Sequence, residues 1–271
     1  VRLRIEHLTQ YRYSEPLRHA IQTLCLTPAD SAHQVVEHWL VAADKGRLHA
    51  SVDAHGNVAH VHTAPRRATQ CVLRAQGVVV TQAQPLLPDD CALPSPWSYL
   101  RPTPLACAHA PLHAFAKQHL GALPAVEDDA QAPQLLALAA AVRERVRYTA
   151  GRTGAQTPAH QAFDLGQGVC QDQAHVFIAA CRSLGLPARY VSGYFHAPDA
   201  AALASHAWAE VCVDVDRRAW LAVDVTHACL IDERHVRLAV GPDYAACAPV
   251  RGVRVGGGEE TLSVQVRVSP A

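Results

Sequence analysis

The feature that most restricts this chain's fold is a change of period around residue 170. Ala174, Phe177, Ile178, Cys181 and Leu184 recur at helical spacing, so this stretch reads as an amphipathic, mostly buried helix. Gly185 and Pro187 supply its stop. Directly ahead stands Gly166-Gln167-Gly168-Val169-Cys170, which places a cysteine at the helix start behind a Gly-x-Gly turn. Strand-like runs follow at 189–195, 206–213 and 220–225. A helix followed by antiparallel strands predicts an α+β fold.

The chain ahead of this block reads differently. Leu3 and Ile5 alternate with Arg2, Arg4 and Glu6, the period of a half-buried strand. Further strands are expected at 35–41, 48–52, 58–62 and 71–81, and together they suggest a small antiparallel sandwich. Asp53-Ala54-His55-Gly56-Asn57 reads as a hairpin turn in which Gly56 and Asn57 supply positive φ. Pro85, Pro88, Pro94, Pro96, Pro102 and Pro104 then mark a linker or irregular wrap, with Trp97 and Tyr99 expected to pack on a neighbouring surface. Helices are expected at 105–120 and 134–148, the second presenting Leu135, Leu138, Ala139, Val142 and Val146 on one face. The Gly/Thr/Pro-rich stretch 149–158 suits either an active-site rim or an ordinary surface loop. Leu262, Val264, Val266 and Val268 alternate with Ser263, Gln265 and Arg267 in a one-faced strand. That strand can join the core or return to the N-terminal sheet. The expected organisation is a β-rich domain at 1–82, a Pro-rich linker at 83–104 and a core with C-terminal strands at 105–271.

Composition excludes several functions. Lys and Arg number 24, and so do Asp and Glu, which argues against a nucleic-acid or membrane-surface binder. No apolar run reaches the ~18 residues of a membrane span. No secretory pattern is visible, so the expected compartment is the cytosol, with nine cysteines kept as free thiols. The sequence has no C-x-x-C and no H-E-x-x-H, and His109 and His113 share a helix face without a matching Cys pair. No metal and no cofactor is therefore expected, and a zinc-binding protein stands only as an alternative.

The chemistry centres on Cys170. A helix N-terminus carries partial positive charge and free amides, which favour a thiolate and let the Cys170 N–H donate to an oxyanion. A thiolate needs a proton-handling partner held by a third group. His206 opens the strand of Ser205-His206-Ala207-Trp208, and Asp224 lies inside Ala222-Val223-Asp224-Val225. A buried Asp is costly unless paired, and a hairpin would set it against His206. Gln167 and Gln171 are candidate oxyanion donors. Asp172 either complements the helix dipole or bonds the neighbouring loops. Trp208 is a core residue or a wall beside the site. Cys181 and Cys212 read as small hydrophobes, and His175 as a packing residue.

Gly168-Val169-Cys170-Gln171-Asp172, Ala174-His175, Arg189-Tyr190-Val191-Ser192-Gly193-Tyr194, Ser205-His206-Ala207-Trp208 and Asp224 together resemble the bacterial transglutaminase-like cysteine enzymes. The resemblance extends to Arg2–His7, Tyr11–Pro16, His235–Tyr244 and Pro249–Gly257. It implies a papain-like core, its Cys-bearing helix packed on an antiparallel sheet, behind a β-sandwich-like N-terminal domain. It implies that Cys170 attacks an amide or peptide carbonyl to form a thioester, that His206 handles the proton and that Asp224 orients His206. The acyl group then passes to water, as in a peptidase or amidase, or to an amine, as in a transamidase. By analogy it suggests peptide-ligase partners of the ATP-grasp kind. Gln173 stands where an aromatic residue is usual, and Asp224-Val225-Thr226-His227 replaces an Asp-Pro-Thr-Asn-like run. A catalytically inactive papain-like interaction module is the other alternative.

Overall fold

Strict alternation makes β1 (Arg2–Tyr13) a strand whose Leu3 and Ile5 face a core while Arg2, Arg4 and Glu6 face solvent. The computed structural model describes residues 1–121, 131–197 and 205–271. After β1 come β2 (Leu17–Thr27), β3 (Gln34–Ala43), β4 (Arg47–Val52), β5 (Val58–Thr63), β6 (Gln70–Thr81) and β7 (Leu86–Pro88). Then follow α1 (Ala110–Leu120), α2 (Ala132–Arg145), β8 (Arg147–Tyr148), α3 (Ala159–Leu165), β9 (Gln167–Gly168) and α4 (Cys170–Ser183). The chain continues through β10 (Ala188–Phe195), β11 (Ser205–Asp214), β12 (Ala219–Asp224), β13 (Cys229–Leu230) and β14 (His235–Gly241). It ends with α5 (Tyr244–Cys247), β15 (Val250–Gly256) and β16 (Glu260–Pro270).

The fold is α+β. Two antiparallel sheets, in the orders β16-β1-β6-β3 and β15-β2-β5-β4, form the N-terminal sandwich. A third sheet runs β13-β12-β11-β10-β14, with β7 sharing the outer edge of β12. Helix α4 packs on β10 and β11, and α1, α2 and α3 pack around α4. All eight residues of β10 are buried, so it lacks the polar-out alternation of a one-sided strand.

The structure departs from expectation in several places. The Pro-rich segment is anchored: Leu86–Pro88 pairs with β12, and Asp89 takes a two-pronged ion pair from Arg189 at 2.6 and 3.1 Å. Arg189 also donates to Glu210 at 2.7 Å and lies 3.9 Å above the Trp220 ring, so this buried cation is fully partnered. Tyr99 packs there as expected, but Trp97 remains 56% exposed. Helix α1 starts only at Ala110, because Pro111 suits a first turn and not an interior. Helix α2 stops at Arg145, and Arg147–Tyr148 pair in parallel with Gln167–Gly168.

The C-terminal strands return to the sandwich: β15 pairs with β2 and β16 with β1. The span 105–271 is thus not one spatial unit, because the apolar face of β16 completes the sheet centred on β1. Tyr194, Val236 and Leu238 of the core sheet share the sandwich's hydrophobic cluster. Edge strand β14 is closed by two side-chain amides from the sandwich. Gln34 donates to the Arg237 carbonyl at 2.9 Å and accepts from its N–H at 2.8 Å; Asn57 does the same to Val240 at 2.7 and 2.8 Å. Only Gly56 supplies positive φ in the 53–57 turn, so Asn57 serves as this clasp.

Candidate active site

Helix α3 ends on Gly166, whose φ of +68° is the left-handed turn a glycine allows. The β8–β9 pair then delivers Gly168 and Val169 to the start of α4. A Cβ at Gly168 would sit 2.7 Å from Asp172, so only glycine permits this approach. Asp172 Oδ2 accepts from the Val169 N–H at 2.8 Å and from Thr153 Oγ1 at 2.6 Å. Burial raises its pKa above the usual carboxylate value, and these two bonds oppose part of that rise. Gln171 Nε2 donates to the Ala155 carbonyl at 3.2 Å. The 149–158 loop is therefore bonded to the first turn of α4, and Asp172 is one of its anchors.

His206 lies on β11 and Asp224 on β12, antiparallel neighbours in the sheet. His206 Nε2 donates to Asp224 Oδ2 at 2.8 Å. Cys170 lines the same cavity as His206 and interacts with its imidazole. Burial alone would lower the His206 pKa, but the bonds to Asp224 and Cys170 and their charges outweigh it and raise it to about 10. Burial would likewise raise Asp224, yet three imidazoles hold it well below the usual carboxylate range. The structure thus brings together all three residues named from the sequence as the nucleophile, its partner and the orienting group.

Two of those imidazoles escaped the sequence reading as site residues. His227 Nδ1 donates to Asp224 Oδ2 at 2.6 Å and its ring stacks on Phe195 at 4.5 Å. His235 is buried between carboxylates, with Nε2 at 3.0 Å from Asp224 and Nδ1 at 3.1 Å from Asp232. Burial opposes its protonation, but the two carboxylates prevail and raise its pKa. The signal for His227 was the unusual Asp-Val-Thr-His run. The two departures from the usual pattern also meet each other: Thr226 Oγ1 donates to Gln173 Oε1 at 2.7 Å, and Gln173 Nε2 donates to the Val146 carbonyl at 2.8 Å. A polar residue on α4 is thereby satisfied by a polar residue after Asp224.

Other candidates make their contacts elsewhere. Gln167 Oε1 accepts from Arg152 at 3.0 Å, and the residue does not line the cleft. Trp208 is fully buried, its ring 6.2 Å from that of His206 and 5.4 Å from that of His235, so it backs the imidazoles from within the core. His175 accepts from the Tyr244 N–H at 3.1 Å, and burial lowers its pKa to about 4. Cys181 and Cys212 are buried. Ligand atoms of His206, Asp224 and His227 lie within 4.8 Å of one another, a spacing a metal ion can use, though Asp224 Oδ2 already takes the other two as hydrogen bonds.

A cavity of about 310 Å³ opens onto Cys170 and His206. Val169 and Gln171 line it beside the thiol. No helix among the described residues is long and apolar enough to cross a membrane.

Residues 124–225 match the profile of the transglutaminase-like superfamily, and residues 3–80 match that of the bacterial transglutaminase-like N-terminal region. An uncharacterized protein of Mycobacterium tuberculosis is 30% identical over 99% of this chain and 93% of its own length. One from Mycobacterium leprae is 26% identical over 99% of this chain and 98% of its own. A crystal structure described as a "Putative Cysteine Protease from Cytophaga hutchinsonii" superposes with a TM-score of 0.78 at 21% identity, covering 99% of this chain and 90% of that one.

Proposed function

The chain belongs to the transglutaminase-like superfamily, in the form that carries the bacterial N-terminal region, and from that premise we propose that it is a cysteine-dependent acyl-transfer enzyme acting on amide or peptide carbonyls. The observation that carries this reading is the His206 imidazole, bonded to Asp224, sharing a cavity with the Cys170 thiol at the start of α4. With its pKa raised to about 10, His206 is an imidazolium at neutral pH, and an imidazolium beside a cysteine favours the thiolate as nucleophile. The sulfur attacks the carbonyl carbon, and the Cys170 N–H at the helix start, with Gln171 beside it, donates to the oxyanion. The C–N bond then breaks, the imidazolium proton passes to the leaving amine, and a thioester remains on Cys170. Water or an amine attacks the thioester and gives its proton to His206, and C–S cleavage restores the ion pair. Asp224 keeps His206 in the tautomer whose Nε2–H points away from the thiol.

Peptide or protein amides are the proposed substrates and the cytosol the proposed compartment, since all nine cysteines are free and Cys91 is exposed. The test is alkylation by iodoacetamide at near-neutral pH, followed site by site by mass spectrometry. Cys170 is expected to react ahead of exposed Cys91 and well ahead of Cys71, Cys212 and Cys229, which burial pushes up to about 12, 11 and 11. A Cys170 slower than Cys91 would remove the nucleophile from the mechanism.

A further inference from the structure

The N-terminal sandwich supplies one wall of the cleft that opens on Cys170. Strands β1 and β16 pair so that His7 lies opposite Val266, Thr9 opposite Val264 and Tyr11 opposite Leu262. The face that buries Leu3 and Ile5 in the sandwich core, with Val268 partly buried against them, therefore continues outward along the same two strands to the cavity. Where it reaches the cavity its apolar residues are left uncovered: Leu262 is 52% and Val264 49% exposed. Tyr190, Tyr194 and Leu238 face the same space from the core sheet, and Tyr244 and Pro249 come from the segment joining β14 to β15.

The His7 and Thr9 side chains of this wall are spent on each other and on Tyr194. His7 Nδ1 bonds the Tyr194 hydroxyl at 2.8 Å and His7 Nε2 bonds Thr9 Oγ1 at 3.0 Å. Burial lowers the His7 pKa to about 4, so the ring is neutral at physiological pH. Among the described residues lining the cavity there is no Lys, Arg, Asp or Glu; His206 brings the charge, at the end where the chemistry would occur. A pocket of this kind rewards apolar surface and penalises a charged side chain that must shed water without a partner.

We propose that this wall selects substrates carrying a bulky apolar or aromatic side chain beside the carbonyl that Cys170 attacks, with Leu262 and Val264 of β16 and Tyr11 of β1 as the specificity-determining residues. The proposal rests on Cys170 being the nucleophile, so its test reads the two separately. N-blocked aminoacyl chloromethyl ketones with phenylalanyl, alanyl, aspartyl or lysyl side chains alkylate a thiolate with loss of chloride, and intact mass follows the rate. Iodoacetamide, which is too small to need the wall, reports the thiol alone. The phenylalanyl probe is expected to modify Cys170 about tenfold faster than the alanyl probe, and faster still than the charged ones. Leu262→Arg and Val264→Asp should each slow the phenylalanyl probe about tenfold, while iodoacetamide at Cys170 stays within about twofold. Leu262→Met should keep the preference. Both positions are half exposed, so these variants are expected to fold, and their melting temperatures verify it. Equal rates for apolar and charged probes, or an unchanged phenylalanyl rate in both β16 variants, would overturn the proposal with the nucleophile intact. Iodoacetamide failing to favour Cys170 in the wild-type protein would instead overturn the nucleophile and the selectivity with it.

Discussion

On one wall of the cleft stand Cys170 and His206, with buried Asp224 behind them, in bonds that leave little freedom: a helix start braced by Asp172 and an imidazole bonded to a carboxylate. On the other, Leu262 and Val264 stand half exposed on a strand with few bonds besides its ladder to β1. The first wall is built for position and the second for contact. Chemistry needs atoms fixed to within a fraction of an ångström, whereas apolar selection needs only surface. Substitutions on the two walls should therefore fail differently.

The largest contrast is expected at the thiol. Cys170→Ala should lower any amidase or transamidase activity by at least about a thousandfold with little change in melting temperature, and His206→Ala should cost nearly as much, because the residues act as a unit. Activity surviving in Cys170→Ala would break the contrast at its root. Asp224→Ala comes next and should cost stability as well, about 3 kcal/mol by urea unfolding, because the buried acceptor of His206, His227 and His235 is lost. A variant as stable as wild type would mean that the three imidazoles do not depend on that carboxylate.

A smaller effect tests the seam between sandwich and core. Asn57→Ala strands the N–H and C=O of Val240 on the β14 edge and should cost about 1–3 kcal/mol. A pH effect tests the imidazole directly. The folded-state pKa of His206 is raised from 6.5 to about 10, so its stabilising contribution is complete below about pH 6.5 and fades as pH climbs to 10. Asp224 behaves in the opposite sense: its folded pKa is depressed, so its contribution is present above the ordinary carboxylate pKa and is lost as pH falls. Melting temperatures of wild type and His206→Ala should converge on the alkaline side; curves that stay parallel up to pH 10 would refute the imidazolium.

Much of this was legible in the sequence, for identifiable reasons. β1 announces itself by alternation, β6 by its Val78-Val79-Val80 run, the β4–β5 hairpin by the Gly56-Asn57 turn, and α4 by its 3.6-residue period. Cys170, His206 and Asp224 were legible because a nucleophile at a helix start and polar residues in apolar strands have few other reasons to occur. β2 escaped because Arg18-His19 interrupts its alternation and Leu24-Cys25-Leu26 is buried on consecutive residues. β14 escaped because it is buried on both faces and shows no period. The Asn57 clasp joins residues 183 positions apart, and His235 meets Asp224 only through β14 packing, so neither has a local signature.

The pairing of β16 with β1 also bears on how the protein is made. A ribosome releases the first strand of that sheet long before residues 260–270, and the thiol emerges between them. For that interval the nascent chain carries Cys170 without the β16 wall of its cleft, while the partner edge of β1 lies open. Completion of one sheet thus closes an edge and a wall together: a copy that stops short of Glu260 leaves the edge of β1 open and lacks Leu262 and Val264 in the cleft.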